Sequence, residues 1–281
     1  MSRFRLLAID LDGTLLDSQR TVPDVNRRAL ERAQRQGVKL AVVTGRRLPA
    51  TRPSLGGLSL EMTLVLNGGA LISQGLDGPI VKRNLMPLTL GKEVLGLARR
   101  VGVAPVVHDG PNGEGRLMIE SGTPVSRPLE LYLDKTTPAP EWVPDLAAAL
   151  SRDPVQIMFA GTVREIRAAA TMFEEALGAR VSVARTEYEI SDFALLDVLA
   201  PGAGKAEALR FLATTEGVSS DQIMAIGDNW NDLGMLEAAG FAVVMANASP
   251  ELRARGFAVT GSNDEAGVAQ AIDRYVIKKR G

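Results

Sequence analysis

The chain has 281 residues, a formal net charge of −1, no cysteine and a single histidine. These counts exclude disulfides, thiol nucleophiles and cysteine- or histidine-rich zinc sites, so any catalysis must depend on carboxylates, lysine and hydroxyl groups. The sequence has no basic patch that would indicate a nucleic-acid partner. It also has no long apolar run or secretory signal that would indicate a membrane partner. We therefore expect a cytoplasmic protein, and the sequence leaves its oligomeric state open.

The first 70 residues alternate between strands and helices in the pattern of a parallel sheet. The sequence predicts strands over 4–10, 38–43 and 63–66, and a helix over 23–36. Small and polar residues follow each strand. Because ligands bind beyond the carboxyl ends of the strands in open parallel sheets, these three strand ends should meet at one crevice.

Two aspartates follow the first apolar run, and they offer the strongest indication of chemistry. Asp10 and Asp12 stand two positions apart, so the period of a strand places both side chains on the same side. Two carboxylates held close together need a cation, and hard oxygen ligands without histidine or cysteine favour Mg²⁺. The alternative is an Asp-Gly turn that merely ends the strand. The rarity of Asp-x-Asp-Gly-Thr favours the functional interpretation.

The middle of the chain has a different texture, with proline-rich breaks and a glycine-rich hairpin signal. In this part the sequence predicts strands over 129–133 and 155–159, a hairpin turn over 110–115, and helices over 88–100, 145–150 and 163–177. The single histidine, His108, is expected at a strand end or in a loop. This stretch is predicted to form a separate α+β unit.

After residue 202 the alternation of the first segment resumes. The sequence predicts helices over 205–216, 232–239 and 265–277, and strands over 222–226 and 241–245. The predicted fold class is therefore α/β: a Rossmann-like, doubly wound parallel-sheet core interrupted by an α+β insertion. We predict that residues 1–83 plus 197–281 form the core domain and that residues 84–196 form the inserted domain.

Four short segments fall at strand ends or helix starts of this predicted core: 10–14, 44–46, Lys205 and 227–232. Singly, each has a structural explanation as a helix cap, a solvated lysine or an acidic turn. Together and in this order, they resemble the motifs of the haloacid dehalogenase superfamily. The position of the insertion resembles the Cof-type branch, in which an α/β cap domain lies between the second and third motifs.

The resemblance implies a role for each aspartate of these segments. Asp10 would be the nucleophile that forms an aspartyl-phosphate, and Asp12 would be the general acid and base. Mg²⁺ would be held by Asp10, the backbone carbonyl of Asp12 and Asp228, with Asp232 either a direct ligand or a supporting residue.

The resemblance also implies which residues hold the substrate. Lys205 would offset the negative charge of the phosphate, and the side chain of Thr44 with the backbone N–H of Gly45 would hold its oxygens. Asn231 would donate a further hydrogen bond. Three more residues are expected near the substrate: Asn67 and Gly68, which would face it, and Arg46, which would either contact it or cap a helix. Gly69 follows where alanine is commoner in that branch, and this departure puts little in doubt.

These roles together imply a Mg²⁺-dependent phosphatase that acts on a small phosphorylated metabolite, a sugar phosphate or a similar polar monoester. A phosphomutase of the same superfamily is the enzymatic alternative, because it would share the nucleophile and the cap. The other alternative is a sensor that binds a sugar phosphate without turnover. Such a sensor is expected to lack one of the four central residues, and all are present: Asp10, Asp12, Lys205 and Asp228.

Overall fold

The strands of the protein build two sheets. The structure, a computed structural model, describes residues 2–134, 136 and 138–277. The strands of these residues, in chain order, are β1 (Leu6–Asp10), β2 (Lys39–Val43), β3 (Thr63–Leu66), β4 (Leu71–Ser73), β5 (Ile80–Arg83), β6 (Pro105–Asp109), β7 (Arg116–Glu120), β8 (Glu141–Val143), β9 (Gln156–Gly161), β10 (Ser182–Tyr188), β11 (Phe193–Leu199), β12 (Ile223–Gly227), β13 (Phe241–Val244) and β14 (Ala258–Val259).

Helices connect most of these strands. In chain order they are α1 (Asp24–Arg35), α2 (Leu48–Leu55), α3 (Leu88–Ala98), α4 (Arg127–Leu133), α5 (Leu146–Ala149), α6 (Val163–Leu177), α7 (Lys205–Glu216), α8 (Leu233–Ala238), α9 (Pro250–Arg253) and α10 (Gly267–Ala271). A tight turn over Leu11–Leu15 follows β1, and a 3₁₀ turn over Trp230–Asp232 precedes α8. Among the described residues, no helix has the length and apolar composition that crossing a membrane requires.

The first sheet is the core of a doubly wound α/β fold. Its strand order is β14-β13-β12-β1-β2-β3-β4-β5, and the six strands from β14 to β3 pair in parallel. The antiparallel hairpin β4-β5 extends one edge. The chain reverses its direction across the sheet at β1, which lies between β2 and β12, so the ends of these strands border the crevice in which such folds bind ligands.

Side chains of β1 alternate between two apolar layers. Leu6 and Ala8 pack against α7 and α8, whereas Leu7 and Ile9 pack on the side of α1 and α10. All four are almost completely buried, as expected for a parallel strand that is covered on both faces. Burial on both faces fixes the register of β1, and therefore the position of Asp10 at the end of that strand.

The second sheet, which we call the cap sheet, has the strand order β10-β11-β9-β6-β7-β8. Its neighbours pair antiparallel except β7 and β8. Helices α3, α5 and α6 pack on one face, and α4 packs on part of the other. The predicted fold class, a parallel core with an inserted α+β unit, is confirmed. The domain boundaries stay a prediction. Strand β11 spans the predicted boundary between residues 196 and 197.

One predicted strand was wrong, because residues 129–133 are the last five residues of helix α4. The alternation of leucines at 129, 131 and 133 is also compatible with a helix that buries one side. Ser126 caps this helix by accepting a hydrogen bond from the backbone N–H of Leu129 at 3.4 Å, and Pro128 lies in its first turn. Proline is tolerated at that position, and the cap and the proline together favour a helix start over a strand.

Gly69 is expected to be essential for stability, because its φ is +109° and an added Cβ would stand 2.2 Å from the carbonyl oxygen of Gly204. Gly69→Ala should lower the free energy of unfolding by about 3 kcal/mol or more, through backbone strain plus the clash. Gly37 is a matched control, because its φ is +81° but nothing lies within 4 Å of the added Cβ.

Gly37→Ala should therefore lower the free energy of unfolding by only about 1–2 kcal/mol, since backbone strain acts alone. Urea denaturation of the two variants measures this difference. Equal losses in both variants would contradict the assigned contact between Gly69 and Gly204.

Candidate active site

The carboxyl ends of four parallel core strands supply the polar residues of the site. Asp10 is the last residue of β1, Thr44 follows β2, Asn67 follows β3, and Asp228 follows β12. All four are buried, with 5% of Asp10 and 6% of Asp228 exposed. Buried polar groups at one edge of a sheet need partners, and the arrangement of these partners defines the site.

Lys205 links two of the carboxylates. Its Nζ donates to Asp10 Oδ1 at 2.5 Å and to Asp232 Oδ1 at 2.6 Å, and only 4% of the residue is exposed. Lys205 is the first residue of α7, so the start of that helix fixes the position of the ammonium group. The pairing is strong because charge-assisted hydrogen bonds are shorter and stronger than neutral ones.

Asp232 also organises the loop that carries Asp228. Its Oδ2 accepts hydrogen bonds from the backbone N–H groups of Asp228 and Asn229, each at 3.1 Å. With Oδ1 on Lys205, both oxygens of Asp232 have protein partners. In this arrangement Asp10 and Asp228 therefore retain more capacity for a cation than Asp232 does.

Asp228 is held by the turn that follows β1. Thr14 Oγ1 donates to Asp228 Oδ1 at 2.9 Å, and Gly13 packs directly on the same carboxylate. An added Cβ at Gly13 would stand 2.3 Å from Asp228 Oδ2, and the φ of Gly13 is +75°. Only glycine fits there, for both reasons. Asn247, which follows β13, donates from Nδ2 to the Gly13 carbonyl at 2.8 Å and so supports the turn.

Three carboxylates of this cluster suit a hard divalent cation. Oxygens of Asp10, Asp228 and Asp232 lie within 4.8 Å of one another. Burial raises the pKa of Asp10 to about 7, to which Asp232 also contributes, and Lys205 opposes this shift. Burial, Asp10 and Asp232 likewise raise the pKa of Asp228 well above its usual value. Carboxylates this unfavourable in their ionised form fit a site whose charge is completed by a bound cation.

Lys205 keeps its proton in this setting. Burial lowers its pKa, but Asp10 and Asp232 raise it by more, so the pKa lies above the usual value for lysine. The ammonium group is therefore a fixed positive charge beside Asp10.

Asp12 and Arg46 form an ion pair at the mouth of the site. Arg46 Nε donates to Asp12 Oδ2 at 2.7 Å, and Arg46 Nη2 donates to Asp12 Oδ1 at 2.5 Å. Arg46 also donates from Nη1 to the carbonyl of Ala50 and to Ser54, both at 3.1 Å. Arg46 therefore contacts both a site carboxylate and helix α2. The sequence had left open whether Arg46 contacts the substrate or caps a helix.

The other predicted residues lie at different depths around Asp10. Thr44 and Gly45 line the same cavity as Asp10, and Thr44 Oγ1 accepts from the backbone N–H of Arg46 at 3.1 Å. Gly68 donates its backbone N–H to the Thr44 carbonyl, and Asn67 contacts His108 at 3.2 Å. These last two lie behind the residues that line the main cavity.

A cavity of about 730 Å³ opens above Asp10, between the core and the cap sheet. Asn231 lines it and donates to Thr186 Oγ1 of β10 at 2.8 Å. Asn229 pairs with the backbone of Glu187 in both directions, at 3.0 Å and 2.9 Å. The loop that carries Asp228 is therefore hydrogen-bonded to the edge strand of the cap sheet.

Sequence reasoning gave no role to several residues that the structure places at the site. Thr14 and Asn229 stand within the segments already singled out, so their position was available as a signal, and Asn247 follows the predicted strand over 241–245. Asp197 lines the cavity from β11, and burial raises its pKa to about 7. A single charged residue within an apolar run could have indicated Asp197. Nothing in the sequence indicated Gln156, which donates a hydrogen bond to it.

Comparisons with known proteins agree with this geometry. A family model described as haloacid dehalogenase-like hydrolase matches residues 7–272. A 5-amino-6-(5-phospho-D-ribitylamino)uracil phosphatase of Bacillus subtilis is 29% identical over 97% of this chain and 98% of that protein. The chain spans about half the length of another relative, the chloroplastic endoribonuclease YBEY of Arabidopsis thaliana, at 28% identity over 97% of this chain and 47% of that protein.

A solved haloacid dehalogenase-like hydrolase from Bacillus subtilis has the same fold, with a TM-score of 0.82 at 23% identity. The superposition covers 97% of this chain and 100% of that one. The predicted enzyme class, a phosphoric monoester hydrolase, is confirmed at the level of the family. The chain belongs to the haloacid dehalogenase-like hydrolases.

Proposed function

We propose that this hydrolase is a Mg²⁺-dependent phosphatase that cleaves a small phosphorylated metabolite, such as a sugar phosphate, through an aspartyl-phosphate. The observation that carries the proposal is the buried contact of Lys205 with Asp10, beside the carboxylates of Asp228 and Asp232. A buried carboxylate that is paired with an ammonium group, at a cavity between the core and the cap sheet, suits attack on a phosphate dianion.

Asp10 is the nucleophile in the proposed mechanism. One of its carboxylate oxygens forms a bond to phosphorus as the bond from phosphorus to the leaving oxygen breaks. Asp12 gives a proton to that oxygen, so the product leaves as a neutral alcohol. In the second step Asp12 takes a proton from water, whose oxygen bonds to phosphorus and releases Asp10 and inorganic phosphate.

Positive charge makes this attack possible, because an ionised carboxylate and a phosphate repel each other. Lys205 supplies one charge directly beside Asp10. Mg²⁺, when bound, neutralises further negative charge on the phosphoryl group. Asp10, Asp228 and the backbone carbonyl of Asp12 would hold the ion, while Asp232 keeps Lys205 and the Asp228 loop in place.

Thr44, Gly45 and Asn231 line the cavity around Asp10 and would hold the phosphoryl oxygens. The ion pair between Asp12 and Arg46 must loosen before Asp12 turns toward the leaving group, since both carboxylate oxygens now accept from Arg46. An incoming substrate anion offers Arg46 a replacement partner.

The size of the cavity, about 730 Å³, and the cap-sheet residues that line one side of it support a small metabolite as the substrate. The related uracil-derivative phosphatase also acts, by its name, on a small phosphomonoester. The complete cluster around Lys205 argues against a sensor without turnover. Product analysis distinguishes the phosphatase from a phosphomutase, which would return the phosphoryl group to a sugar.

Asp10→Asn should abolish phosphate release while the fold is kept, because an amide of equal size replaces the nucleophile. We expect kcat to fall by about four orders of magnitude or more. Phosphate release from a panel of phosphorylated metabolites, with and without Mg²⁺, measures this loss. Asp77→Asn is the control, since the Asp77 side chain is 86% exposed and neither it nor its partner Arg52 lines the cavity. Normal turnover in the Asp10 variant would refute the mechanism.

Asp12→Asn should separate the two half-reactions. A nitrophenyl phosphate has a leaving group that needs no protonation, so Asp10 should still be phosphorylated, whereas hydrolysis of the intermediate should slow by about 10²–10⁴-fold. Stopped-flow absorbance should show a burst of one nitrophenolate per active site, and mass spectrometry should find one added phosphoryl group. Steady-state turnover as fast as that of the native chain would exclude Asp12 as the base.

Mg²⁺ should stabilise the fold more at about pH 8 than at about pH 6. The pKa of Asp10 is raised to about 7 in the fold, and that of Asp228 is raised too. Protonation of these carboxyl groups therefore stabilises the ion-free fold, and this stabilisation is fully present at a pH below the pKa that the same groups have in the unfolded chain. This stabilisation is lost as the pH rises through the folded pKa, where Mg²⁺ can replace the protons. The gain in Tm on adding Mg²⁺ measures the effect.

Asp228→Asn should reduce the Mg²⁺-dependent gain in Tm at both pH values. Asp197 also has a raised pKa, and it contributes to the pH dependence without Mg²⁺ because it lies outside the carboxylate cluster. A Mg²⁺ gain that is independent of pH, or that persists in the Asp228 variant, would argue against this site.

A further inference from the structure

Strand β10 ends beside the loop that follows β12, and Tyr188 is its last residue. Asn229 of that loop exchanges two hydrogen bonds with the backbone of Glu187, at 3.0 Å and 2.9 Å. Asn231 donates to Thr186 Oγ1 at 2.8 Å. These hydrogen bonds hold the end of β10, which belongs to the cap sheet, against a loop of the core.

The side chain of Tyr188 faces the cavity. Side chains alternate along a strand, so Tyr188 shares one face of β10 with Thr186, and both residues line the cavity together with Asp10. Glu187, between them, is directed to the other face, where it pairs with Arg167 at 2.6 Å. Tyr188 is 36% exposed, so a ligand in the cavity can reach it.

Packing fixes the ring of Tyr188. It stacks on the ring of Phe193, its partner across the two strands β10 and β11, with centroids 5.9 Å apart. Ser191 Oγ donates to the Tyr188 carbonyl at 3.2 Å and supports the turn between these strands. The ring is therefore held in place without any hydrogen bond from its hydroxyl group.

The Tyr188 hydroxyl is a hydrogen-bond donor that has no protein acceptor across residues 2–134, 136 and 138–277. Burial, and then the negative charges of Asp228, Asp12 and Asp10, raise its pKa well above the usual value for tyrosine. The hydroxyl therefore keeps its proton at neutral pH, near the carboxylates of the candidate active site. A phosphoryl group at Asp10 would offer it acceptor oxygens.

The other tyrosine that lines the cavity differs in both respects. Tyr132 Oη contacts His108 Nε2 at 3.1 Å, so its hydroxyl has a partner. Burial raises the pKa of Tyr132, and the charges that act on it are those of Arg47 and Asp197. Tyr188 is therefore the cavity tyrosine that the cap brings toward the nucleophile.

A donor on the cap side would complete the groups around the phosphoryl oxygens. Thr44, Gly45 and Asn231 line the cavity from the core, and Tyr188 lines it from β10. Donors that are fixed in place before the reaction stabilise negative charge on the transferring group without any cost of reorganisation.

We propose that Tyr188 is a catalytic residue that the cap supplies: its hydroxyl donates a hydrogen bond to a non-bridging oxygen of the phosphoryl group that Asp10 attacks. The contact forms only while the end of β10 lies against the core, so the cap takes part in the reaction as well as in enclosing the substrate. This inference rests on the proposed phosphatase function and adds one residue to its mechanism.

Tyr188→Phe removes the hydroxyl group and keeps the ring. With Mg²⁺, kcat/KM should fall by about 10²-fold for 4-nitrophenyl phosphate and by the same factor for the sugar phosphate that the native chain cleaves fastest, because the two esters share the phosphoryl group. Tyr275→Phe is the control, because Tyr275 also packs on an aromatic ring, that of Phe241 with centroids 4.7 Å apart, but does not line the cavity.

The comparison of the two esters locates the hydrogen bond. Nitrophenolate leaves without protonation, so a contact of Tyr188 with the leaving oxygen would matter much more for the sugar phosphate. A loss confined to the sugar phosphate would therefore overturn the assigned contact with a non-bridging oxygen.

Inorganic phosphate gives a readout that needs no turnover. The gain in Tm from phosphate at a fixed Mg²⁺ concentration yields its Kd, which should rise about tenfold in Tyr188→Phe. The gain in Tm from Mg²⁺ alone should match that of the native chain, because Tyr188 is not a member of the carboxylate cluster. A loss of the Mg²⁺ gain would overturn the proposal, since the substitution would then have disturbed the cluster itself.

Tyr188→Leu separates the role of the hydroxyl from that of the ring. If Tyr188→Phe matches the native chain in kcat/KM and in phosphate affinity while Tyr188→Leu is impaired, Tyr188 only packs against Phe193 and the proposal is overturned. A loss in Tyr275→Phe as large as that in Tyr188→Phe would overturn it as well.

The two proposals fail in different ways. Asp10-dependent release that is unchanged in Tyr188→Phe would overturn the role of Tyr188 and leave the phosphatase standing. If no compound gives release that depends on Asp10, the phosphatase proposal fails, and the catalytic role of Tyr188 fails with it. Weaker phosphate binding in Tyr188→Phe would then assign Tyr188 to a binding site alone.

Discussion

The contact of Lys205 with Asp10 and Asp232 is the interaction on which the rest of the site depends. It joins the end of β1, the start of α7 and the turn before α8, which come from distant parts of the chain. The ammonium group is buried, and a buried charge is tolerated only with partners of opposite sign. Each element must therefore hold its charged residue in place for the others to remain buried.

That cluster is incomplete as a set of charges, because three buried carboxylates face one ammonium group. Burial and this excess of negative charge raise the pKa of Asp10 and of Asp228, so protons or a divalent cation must balance the remainder. In the proposed mechanism, the same imbalance suits phosphoryl transfer, because a cation that completes the cluster would also offset negative charge on the substrate.

The cap is tied to this cluster through the loop that carries Asp228. Asn229 and Asn231 donate to or accept from β10 at three hydrogen bonds, all between 2.8 and 3.0 Å. A cap that opens must break them, and a cap that closes restores them next to Asp228. Substrate enclosure and the geometry of the carboxylate cluster are therefore coupled by ordinary hydrogen bonds.

Much of the core could be predicted from the sequence, because its strands are apolar runs that end in small or polar residues. Strand β3, over 63–66, was predicted at its observed bounds, and so was helix α7. Periodicity is strongest where elements are buried on one or both faces. The short helix α4 was mistaken for a strand because alternating leucines fit both periods over so few residues.

The partners of the site residues could not be predicted in the same way. The resemblance to the haloacid dehalogenase superfamily placed Asp10 and Lys205 at one site, but the pairing of Arg46 with Asp12 depends on how α2 follows β2. Asp197 and Gln156 meet only because β9 and β11 pair in a particular register. Contacts across a sheet are set by tertiary packing, which a single sequence does not display.

The stereochemistry at phosphorus tests covalent catalysis by Asp10 most directly. An aryl phosphorothioate made chiral with oxygen isotopes, turned over by the native chain with Mg²⁺ in water that carries a third oxygen isotope, would be analysed for the configuration of the inorganic thiophosphate that is released. Two successive in-line displacements, first by Asp10 and then by the acceptor, predict retention. Inversion would mean that the acceptor attacks the substrate directly, and it would contradict the aspartyl-phosphate.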